Sequence, residues 1–254
     1  NHADVTMTNI LLINPNTTKS ITDLVLKTAK GFASKGTRLR ALTGSFGPRY
    51  IASRAGYAIA SHAALDAYAN DRGPKDAVVL ACFGDPGLAA LKEVSPVPVV
   101  GMADASILQA CAMGNRFSIV TGGERWKSML EEFVANHGLS SRLASVRTVA
   151  PTGADIARNP TAAMELLAKG CSACVKEDGA DVVILGGAGL AGLAAKLKHM
   201  VDAPLLDGVA CAISMAEGLA LQKLAKAANG ALAKPGAVDS IKLSKGLSKL
   251  LQSP

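Results

Sequence analysis

Residues 76–82 read DAVVLAC, and residues 181–187 read DVVILGG, so that the two stretches align without a gap. In both, a run of branched apolar residues ends in a turn of small residues. Short continuous runs of this kind are typical of strands that are covered on both faces of a parallel sheet. The repetition predicts that the chain folds into two similar halves, in which Cys82 and Gly187 occupy equivalent places.

Other parts of the chain repeat in the same order. PVVGMADA (98–105) follows the first stretch much as PLLDGVAC (204–211) follows the second. Upstream, the apolar run that ends at Asn14-Pro-Asn-Thr17 has its counterpart in the run that ends at Thr121-Gly-Gly123. Open parallel sheets bind ligands beyond the carboxyl ends of their strands. We therefore expect the two sets of turns to face each other across a cleft.

Short apolar runs alternate with longer stretches of helical spacing along the chain. This alternation predicts right-handed βαβ units, and hence an α/β fold of two pseudo-symmetric, Rossmann-like domains with parallel sheets and the active site in the interdomain cleft. We predict a first domain of residues 7–105 plus 208–254 and a second domain of residues 106–207. The predicted strands are Ile10–Ile13, Ala77–Ala81, Val97–Val100, Phe117–Val120, Val182–Leu185 and Pro204–Leu206, and the predicted helices are Ser20–Ala33, Ala58–Ala69, Trp126–Asn136 and Asn159–Lys176.

The two ends of the chain are treated separately. Met7 is the expected natural start, and residues 1–6 are left out of the fold argument. From Pro235 onward, lysines, serines and the spaced leucines Leu243, Leu247 and Leu250 predict an amphipathic helix. We expect this helix to cover a surface of its own or of a neighbouring subunit.

Composition narrows the classes of partner. Hydrophobic residues make up 49% of the chain and charged residues 19%, as in compact globular proteins. Lys and Arg exceed Asp and Glu by 27 to 20, but aromatic residues, on which nucleic-acid bases stack, are only 4%. No apolar run reaches the ~20 residues of a membrane helix. We therefore expect a homo-oligomeric protein that binds a small molecule and neither nucleic acid nor a membrane.

The cysteine count is odd, at five, which predicts reduced thiols and a cytoplasmic protein. Cys171 and Cys174 form a C-x-x-C, but they lie in a helical stretch without a second pair or a nearby histidine. We interpret them as packing residues on one helix face rather than as a redox or metal pair. Cys111 and Cys211 are likewise interpreted as structural thiols.

A competing motif lies in the second turn. Gly187-Ala-Gly189-Leu-Ala-Gly192 satisfies G-x-G-x-x-G after a predicted strand, and Asp207 follows at the distance where dinucleotide sites carry an acidic residue. A nicotinamide-dependent oxidoreductase therefore stays open as an alternative. The internal duplication, however, accounts for the same turn without a cofactor.

Six stretches, in order along nearly the whole chain, resemble the aspartate/glutamate/hydantoin racemase superfamily, and within it the hydantoin and allantoin racemases. They are ILLINPNTT (10–18), GPRYI (47–51), ACFGDPGL (81–88), RFSIVTGGERW (116–126), LGGAGLAGL (185–193) and PLLDGVA (204–210). The resemblance implies two pseudo-symmetric α/β domains, an enzyme that needs no cofactor, and a pair of cysteines on either side of an acidic carbon.

Cys82 is the predicted catalytic residue. Inverting a carbon requires a base on one face and an acid on the other, with the intermediate held as an enolate. A thiol can do this because helix N-termini and backbone N–H groups can lower its pKa, and we expect such a lowering here. Gly84 allows the backbone to turn sharply and to offer N–H groups to an enolate or carboxylate oxygen.

The resemblance, carried over position by position, implies further site residues. Asn16 would bind a polar group of the substrate, and Thr121 would do so in the second domain. Asn16 is equally well explained as a helix N-cap for a segment that begins at Thr17. The other predicted substrate-binding residues are Pro48, Tyr50, Phe83, Gly84, Gly187 and Ala188.

The chain departs from the family at the second thiol. Members of the family read LGCAGM where this chain reads Leu185-Gly-Gly187-Ala-Gly-Leu190. Since glycine cannot move a proton, the ordinary two-thiol mechanism is in question. Tyr50, His62 or Asp85 could serve the second face; Cys82 could protonate one face alone, as in arylmalonate decarboxylases; or Gly187 could only make room for a substituent. A non-catalytic ligand-binding protein also stays open.

Overall fold

The computed structural model describes residues 7–252, so that the residues before Met7 lie outside the description. Two four-stranded sheets form, with the orders β2-β1-β3-β4 and β6-β5-β7-β8 and parallel pairing throughout. The strands are β1 (Thr8–Asn14), β2 (Thr37–Thr43), β3 (Ala77–Leu80), β4 (Val99–Gly101), β5 (Phe117–Val120), β6 (Leu143–Arg147), β7 (Val182–Leu185) and β8 (Leu205–Asp207). The identical order of the two sheets confirms the α/β fold with two similar halves.

Helices separate the strands. Local capping explains several of the helix starts: the Ser53 hydroxyl accepts from the Gly56 N–H at 3.0 Å, and Asn159 caps the helix that has Pro160 at its first position. The α-helices are α1 (Lys19–Phe32), α2 (Arg54–Asn70), α3 (Leu88–Val94), α4 (Met102–Met113), α5 (Trp126–Asn136), α6 (Gly153–Arg158), α7 (Pro160–Lys176), α8 (Ala194–Leu197), α9 (Gly208–Gln222) and α10 (Lys245–Gln252), and short 3₁₀ helices span Ser140–Arg142 and Ala188–Leu190.

The register of the central strands places equivalent turns at equivalent edges. Ile13 pairs with Leu80 in the first sheet, and Val120 pairs with Leu185 in the second. The hydrogen bonds that follow are also equivalent: the Ala81 N–H donates to the Ile13 carbonyl at 2.8 Å, and the Gly186 N–H donates to the Val120 carbonyl at 2.8 Å. Asn16 and Cys82 therefore leave the first sheet side by side, as Thr121 and Gly187 leave the second.

Strands β2 and β6 were not among the predicted strands. Both lie at sheet edges, where one side faces solvent. Their sequences, TRLRALT and LASVR, alternate apolar residues with polar or charged ones, and most of their side chains are only half-buried. The central strands β3 and β7 are buried along their whole length, as their continuous apolar runs predicted.

The helices that follow the last strand of each sheet cross to the other sheet. Helix α4 leaves β4 and packs against β5, β7 and β8, whereas α9 leaves β8 and packs against β1, β3 and β4. The two helices also pack against each other. Through this exchange of helices, the two halves pack against each other. The residue ranges of the two domains stay a prediction.

The C-terminal helix is shorter than predicted. Residues 235–244 form turns and irregular structure, and only Lys245–Gln252 are helical as α10. The expectation of a helix from Pro235 is therefore wrong, because Pro235, Gly236 and a serine-containing stretch do not sustain helical hydrogen bonding there. Helix α10 packs against α2 with Leu247 buried, so that it covers a surface of the first half.

Candidate active site

The two turns that the repeat placed opposite each other are in direct contact. The ring of Phe83, from the turn after β3, lies over Gly186, where an added Cβ would come within 2.7 Å of the ring's Cε1. The other edge of the ring faces Gly208 at the start of α9, where an added Cβ would lie 3.4 Å from Cδ2. Phe83 is buried, so its ring packs the junction between the halves. Cys82 and Gly187 flank this contact.

The Cys82 thiol is almost fully enclosed, with 8% of the residue exposed. Its Sγ lies 4.0 Å from the Phe83 carbonyl oxygen. Burial, and then the nearby Asp85 carboxylate, raise the pKa of Cys82 far above its ordinary value. The expected lowering of this pKa is wrong, because the thiol is buried and a carboxylate rather than a cation lies beside it. Cys82 is thus protonated near neutral pH.

Asp85 caps the helix that leaves the next strand. It adopts φ 55°, and its carboxylate accepts hydrogen bonds from the N–H groups of Ala103 at 3.0 Å and Asp104 at 2.7 Å. Both N–H groups belong to the first turn of α4, where a carboxylate is favoured by the helix dipole. Burial raises the pKa of Asp85 to about 7, even though these two hydrogen bonds act to lower it. Asp85 therefore fixes the Cys82 turn to α4.

In the second half, a carboxylate also caps the helix that follows the last strand, but it comes from the end of the strand and not from the turn. Asp207, the last residue of β8, accepts from the N–H groups of Val209 at 2.9 Å and Ala210 at 3.2 Å in the first turn of α9. It also accepts from the Gly192 N–H, in the turn after β7, at 2.6 Å. In the first half, Gly101 stands at the end of β4 and the carboxylate comes from the turn. An added Cβ at Gly101 would lie 2.1 Å from Asp85 Oδ2.

Replacement of Gly101 by alanine is expected to destabilise the protein by about 2–4 kcal/mol, since the new methyl group must displace a buried capping carboxylate. Urea unfolding monitored by circular dichroism measures the change. G31A is the matched control: Gly31 lies in α1 with nothing within 4 Å of an added Cβ, so this substitution should stabilise slightly. Equal stability of G101A and wild type would contradict the assigned role of Asp85.

This arrangement also accounts for the apparent dinucleotide motif. The turn Gly187–Gly192 leads into the short α8 rather than into a long helix whose N-terminus could hold a pyrophosphate. The Asp207 carboxylate is engaged by three N–H groups of the protein. The turn thus lacks the strand–turn–helix geometry on which a nicotinamide site depends.

Asn16 and Thr121 follow the central strand of each sheet. Asn16 Oδ1 accepts from the Thr18 N–H at 2.9 Å and from Asn14 Nδ2 at 2.9 Å. The N-cap of α1 is Thr18, so the Asn16 side chain stabilises the turn before the helix instead of being its N-cap. Within residues 7–252, no hydrogen bond occupies Asn16 Nδ2 or Thr121 Oγ1. Both groups are available to a ligand.

The loop that contains Pro48 and Tyr50 spans both halves. On the first half, the Pro48 carbonyl accepts from the Thr17 N–H at 3.2 Å. On the second half, Trp126 Nε1 donates to the Ile51 carbonyl at 2.9 Å, and the Tyr50 hydroxyl donates to the Gly122 carbonyl at 3.3 Å. The loop is therefore held over the junction between Cys82 and the turn after β5.

Gly187 leaves open space in the second turn. An added Cβ would meet Leu190 Cγ and Thr121 Oγ1 only at 3.9 Å, which is ordinary contact. Its φ of 143° lies in the region that favours glycine. Ala188 follows in the 3₁₀ helix and is half-buried. At Gly187, the position equivalent to Cys82, the second turn thus presents backbone and no side chain.

Two functional candidates were missed by sequence reasoning, Tyr57 and Trp126. The Tyr57 hydroxyl donates to the Gly84 carbonyl at 3.0 Å, and the Trp126 ring lies over Gly84, where an added Cβ would come within 2.5 Å of Cζ3. Trp126 was visible in the sequence as the sole tryptophan, at the end of RFSIVTGGERW. Nothing in the sequence singled out Tyr57, since its contact runs from α2 to a turn 27 residues further along the chain.

A small cavity adjoins the candidate site, whereas a larger groove lies apart from it. A cavity of about 220 Å³ lies between α2 and α5, is lined by Tyr57, Gly84 and Trp126, and adjoins the Cys82 turn. The Arg54–Glu132 ion pair stands at this cavity. A groove of about 760 Å³ runs along the edge strand β4 and α9, and none of the predicted site residues lines it. The smaller cavity is the one that adjoins the candidate site, at Gly84.

The remaining side chains that were considered for chemistry are engaged in packing. Cys171 and Cys174 are buried in α7 against the second sheet, and all five cysteines are free thiols. Among residues 7–252, no three His, Cys, Asp or Glu side chains are grouped so that they could hold a metal ion. None of the helices in this range has the length and apolar character required to cross a membrane.

Comparisons with known proteins agree with this geometry. Residues 10–216 match the family described as Asp/Glu/Hydantoin racemase. A hydantoin racemase from Pseudomonas sp. (strain NS671) is 36% identical over 209 residues, covering 82% of this chain and 84% of the relative. The crystal structure of an allantoin racemase from Pseudomonas fluorescens superposes with a TM-score of 0.88 at 32% identity, covering 92% of this chain and all of that one. Arylmalonate decarboxylase shares the fold, with a TM-score of 0.59 at 18% identity over 88% of this chain and 98% of that one.

Proposed function

Because the chain belongs to the Asp/Glu/hydantoin racemase family, we propose that it is a cofactor-independent racemase in which Cys82 transfers a proton at an acidic carbon of a small hydantoin-, allantoin- or amino-acid-like substrate. The relatives that are named hydantoin racemase and allantoin racemase support this class of substrate. The observation that carries the proposal is the position of Cys82, on a turn at the carboxyl end of β3 that meets the equivalent turn of the other half through Phe83 and Gly186.

In the proposed reaction, the substrate carbon lies between the two turns, with one face toward Cys82. Removal of its proton places the electron pair of the C–H bond on the adjacent carbonyl as an enolate. Backbone N–H groups of the small-residue turns at Gly84 and Gly187 would stabilise this oxyanion, while Asn16 Nδ2 and Thr121 Oγ1 would bind the polar groups of the ring. The enclosed position of Cys82 excludes water, which strengthens these interactions.

A second candidate function, one-sided proton delivery after loss of carbon dioxide, is favoured by one specific pair of observations. The raised pKa of Cys82 keeps its thiol protonated near neutral pH, and the turn of the other half carries Gly187 at the position equivalent to Cys82. A carbanion left by decarboxylation would need only a proton donor on one face. Arylmalonate decarboxylase shares the fold, which makes this chemistry a concrete alternative.

Deuterium exchange distinguishes these functions. The protein is incubated in D2O with a panel of substituted hydantoins, allantoin and amino acids, and each substrate is followed by NMR and by optical rotation. A racemase incorporates deuterium and loses optical rotation together. Exchange with retained configuration, or release of carbon dioxide from an arylmalonate, would favour the one-sided reaction. The absence of exchange and of decarboxylation across the panel would identify a non-catalytic ligand-binding protein.

A further inference from the structure

A racemase without a thiol at Gly187 needs another group on that side of the substrate. We propose that Tyr50 is the second catalytic residue, exchanging a proton with the face of the substrate carbon that is turned away from Cys82. This inference rests on the proposed function, since it assigns the second acid–base group of the same site.

The hydroxyl of Tyr50 lies on the second half, although the residue belongs to the first. It donates to the Gly122 carbonyl at 3.3 Å, and an added Cβ at Gly123 would lie 3.2 Å from it. The loop is held in this position by the hydrogen bond from Trp126 Nε1 to Ile51. The phenol is thus carried across the junction to the turn after β5.

That turn borders Gly187. Thr121, which directly precedes Gly122, has its Oγ1 3.9 Å from the place where a Cβ of Gly187 would stand. The space left by the absent side chain is therefore lined by Thr121 and lies beside the turn that binds the Tyr50 hydroxyl. Tyr50 as a residue is 60% exposed, so its side chain can meet a substrate that enters the junction.

The other acid–base candidates are placed elsewhere. The Asp85 carboxylate is buried against the first turn of α4. The His62 ring packs edge-on against Phe46, with centroids 4.8 Å apart. The Tyr57 hydroxyl binds the carbonyls of Gly84 and Asp85 on the Cys82 turn itself. Of these groups and Tyr50, only the Tyr50 hydroxyl reaches the second half.

The charge state of the phenol is compatible with this role. Burial of the hydroxyl, followed by the charge of Cys82, raises the pKa of Tyr50 above its ordinary value. The phenol is therefore protonated near neutral pH and can donate a proton.

The proton balance then closes without a co-reactant. The step starts with Cys82 as a thiolate and Tyr50 as a phenol. The thiolate takes the proton from the substrate carbon, and the electrons of the C–H bond pass to the enolate. The Tyr50 phenol gives its proton to the opposite face of that carbon, and the C–H bond of the inverted product forms. The resulting thiol and phenolate return to thiolate and phenol by exchange of one proton through solvent. The other enantiomer follows the same steps in reverse.

Y50F removes only the hydroxyl and separates the two faces experimentally. The separate enantiomers of a benzyl-substituted hydantoin and of allantoin are incubated in D2O with wild type, Y50F and Y57F, with an enzyme-free control subtracted. Inversion by Y50F is expected to fall about 100-fold or more. The enantiomer whose proton faces Cys82 should still exchange for deuterium with retained configuration, within about tenfold of wild type, while the other enantiomer becomes inert.

Y57F is the comparison for a merely structural effect, because the Tyr57 hydroxyl supports the Cys82 turn. It should lower exchange of both enantiomers alike. Inversion by Y50F within about threefold of wild type, or an equal loss for both enantiomers, would overturn the role of Tyr50 while leaving the racemase intact. Wild type that exchanges with retention only, or not at all, would overturn the proposed racemase and the inference with it.

Discussion

Replacement of Cys82 by alanine is expected to lower inversion of both enantiomers, and deuterium exchange of the enantiomer whose proton faces Cys82, by about 10³-fold or more, because the carbon loses its only acid–base group on that face. The thiol lies at the carboxyl end of β3, enclosed between the two halves. Binding should survive, since the turns, Asn16 and Thr121 are unchanged, so the loss should appear in kcat rather than in KM. Exchange kinetics in D2O over a range of substrate concentrations provide both quantities.

C111A is the matched control for this substitution. Cys111 lies half-buried in α4 and takes no part in the candidate site, and alanine is favourable in a helix. Activity of C111A should therefore stay within about twofold of wild type. C82A that retains more than about a tenth of the wild-type inversion rate would mean that another group moves the proton on that face, and the assignment of Cys82 would be lost.

Replacement of Asp85 by asparagine should change both the reactivity of Cys82 and the stability of the protein. The carboxylate is the charged group that, after burial, raises the pKa of the thiol. Without it, alkylation of Cys82 by iodoacetamide should begin at a lower pH, which mass spectrometry of the labelled peptide measures. Asparagine tolerates the positive φ at this position, so the backbone of the turn should be kept.

The stability effect of D85N depends on pH with a defined sign. The pKa of Asp85 is about 7 in the folded state, against an ordinary value of 3.8. Between these values the folded protein binds more protons than the unfolded chain, so the contribution of Asp85 is fully present below about pH 4 and declines as the pH rises through 7. D85N should therefore cost more stability at the acidic end of this window than above it. Urea unfolding across the window tests this, and an unchanged labelling profile would contradict the electrostatic coupling.

The two candidate functions make different demands on the lone thiol. A two-sided racemase needs the thiolate in half of its turnovers, whereas one-sided protonation needs only the thiol. The enclosed Cys82 beside a carboxylate favours the thiol in the absence of substrate. Because the pKa of Cys82 is raised, the racemase meets this demand at elevated pH, and its rate should rise with pH.

Much of the architecture followed from local sequence. Buried strands such as β3 and β7 carry continuous branched runs, because both of their faces are covered by helices. The limits of α5 agree with the prediction, since its apolar spacing and flanking residues define them locally. The edge strands β2 and β6 were not predicted, because half of each strand faces solvent and their sequences carry polar residues there.

The equivalence of Cys82 and Gly187 also followed from the sequence, because aligning the two repeats places these residues at the same position. The repeat implied two halves, one thiol-bearing turn and one turn without a thiol. Parallel strands bring such turns to the same edge of each sheet, and this rule is general.

Only the tertiary structure decided what surrounds the thiol. The Asp85 carboxylate could have faced the substrate, but it caps α4, whose first turn lies 18 and 19 residues further along the chain. The reach of Tyr50 to Gly122 crosses 72 residues of sequence and joins the two halves. Burial and long-range contacts of this kind set the pKa of Cys82 and decide on which half the Tyr50 hydroxyl lies. They arise from how separate elements pack, which no local pattern of residues encodes.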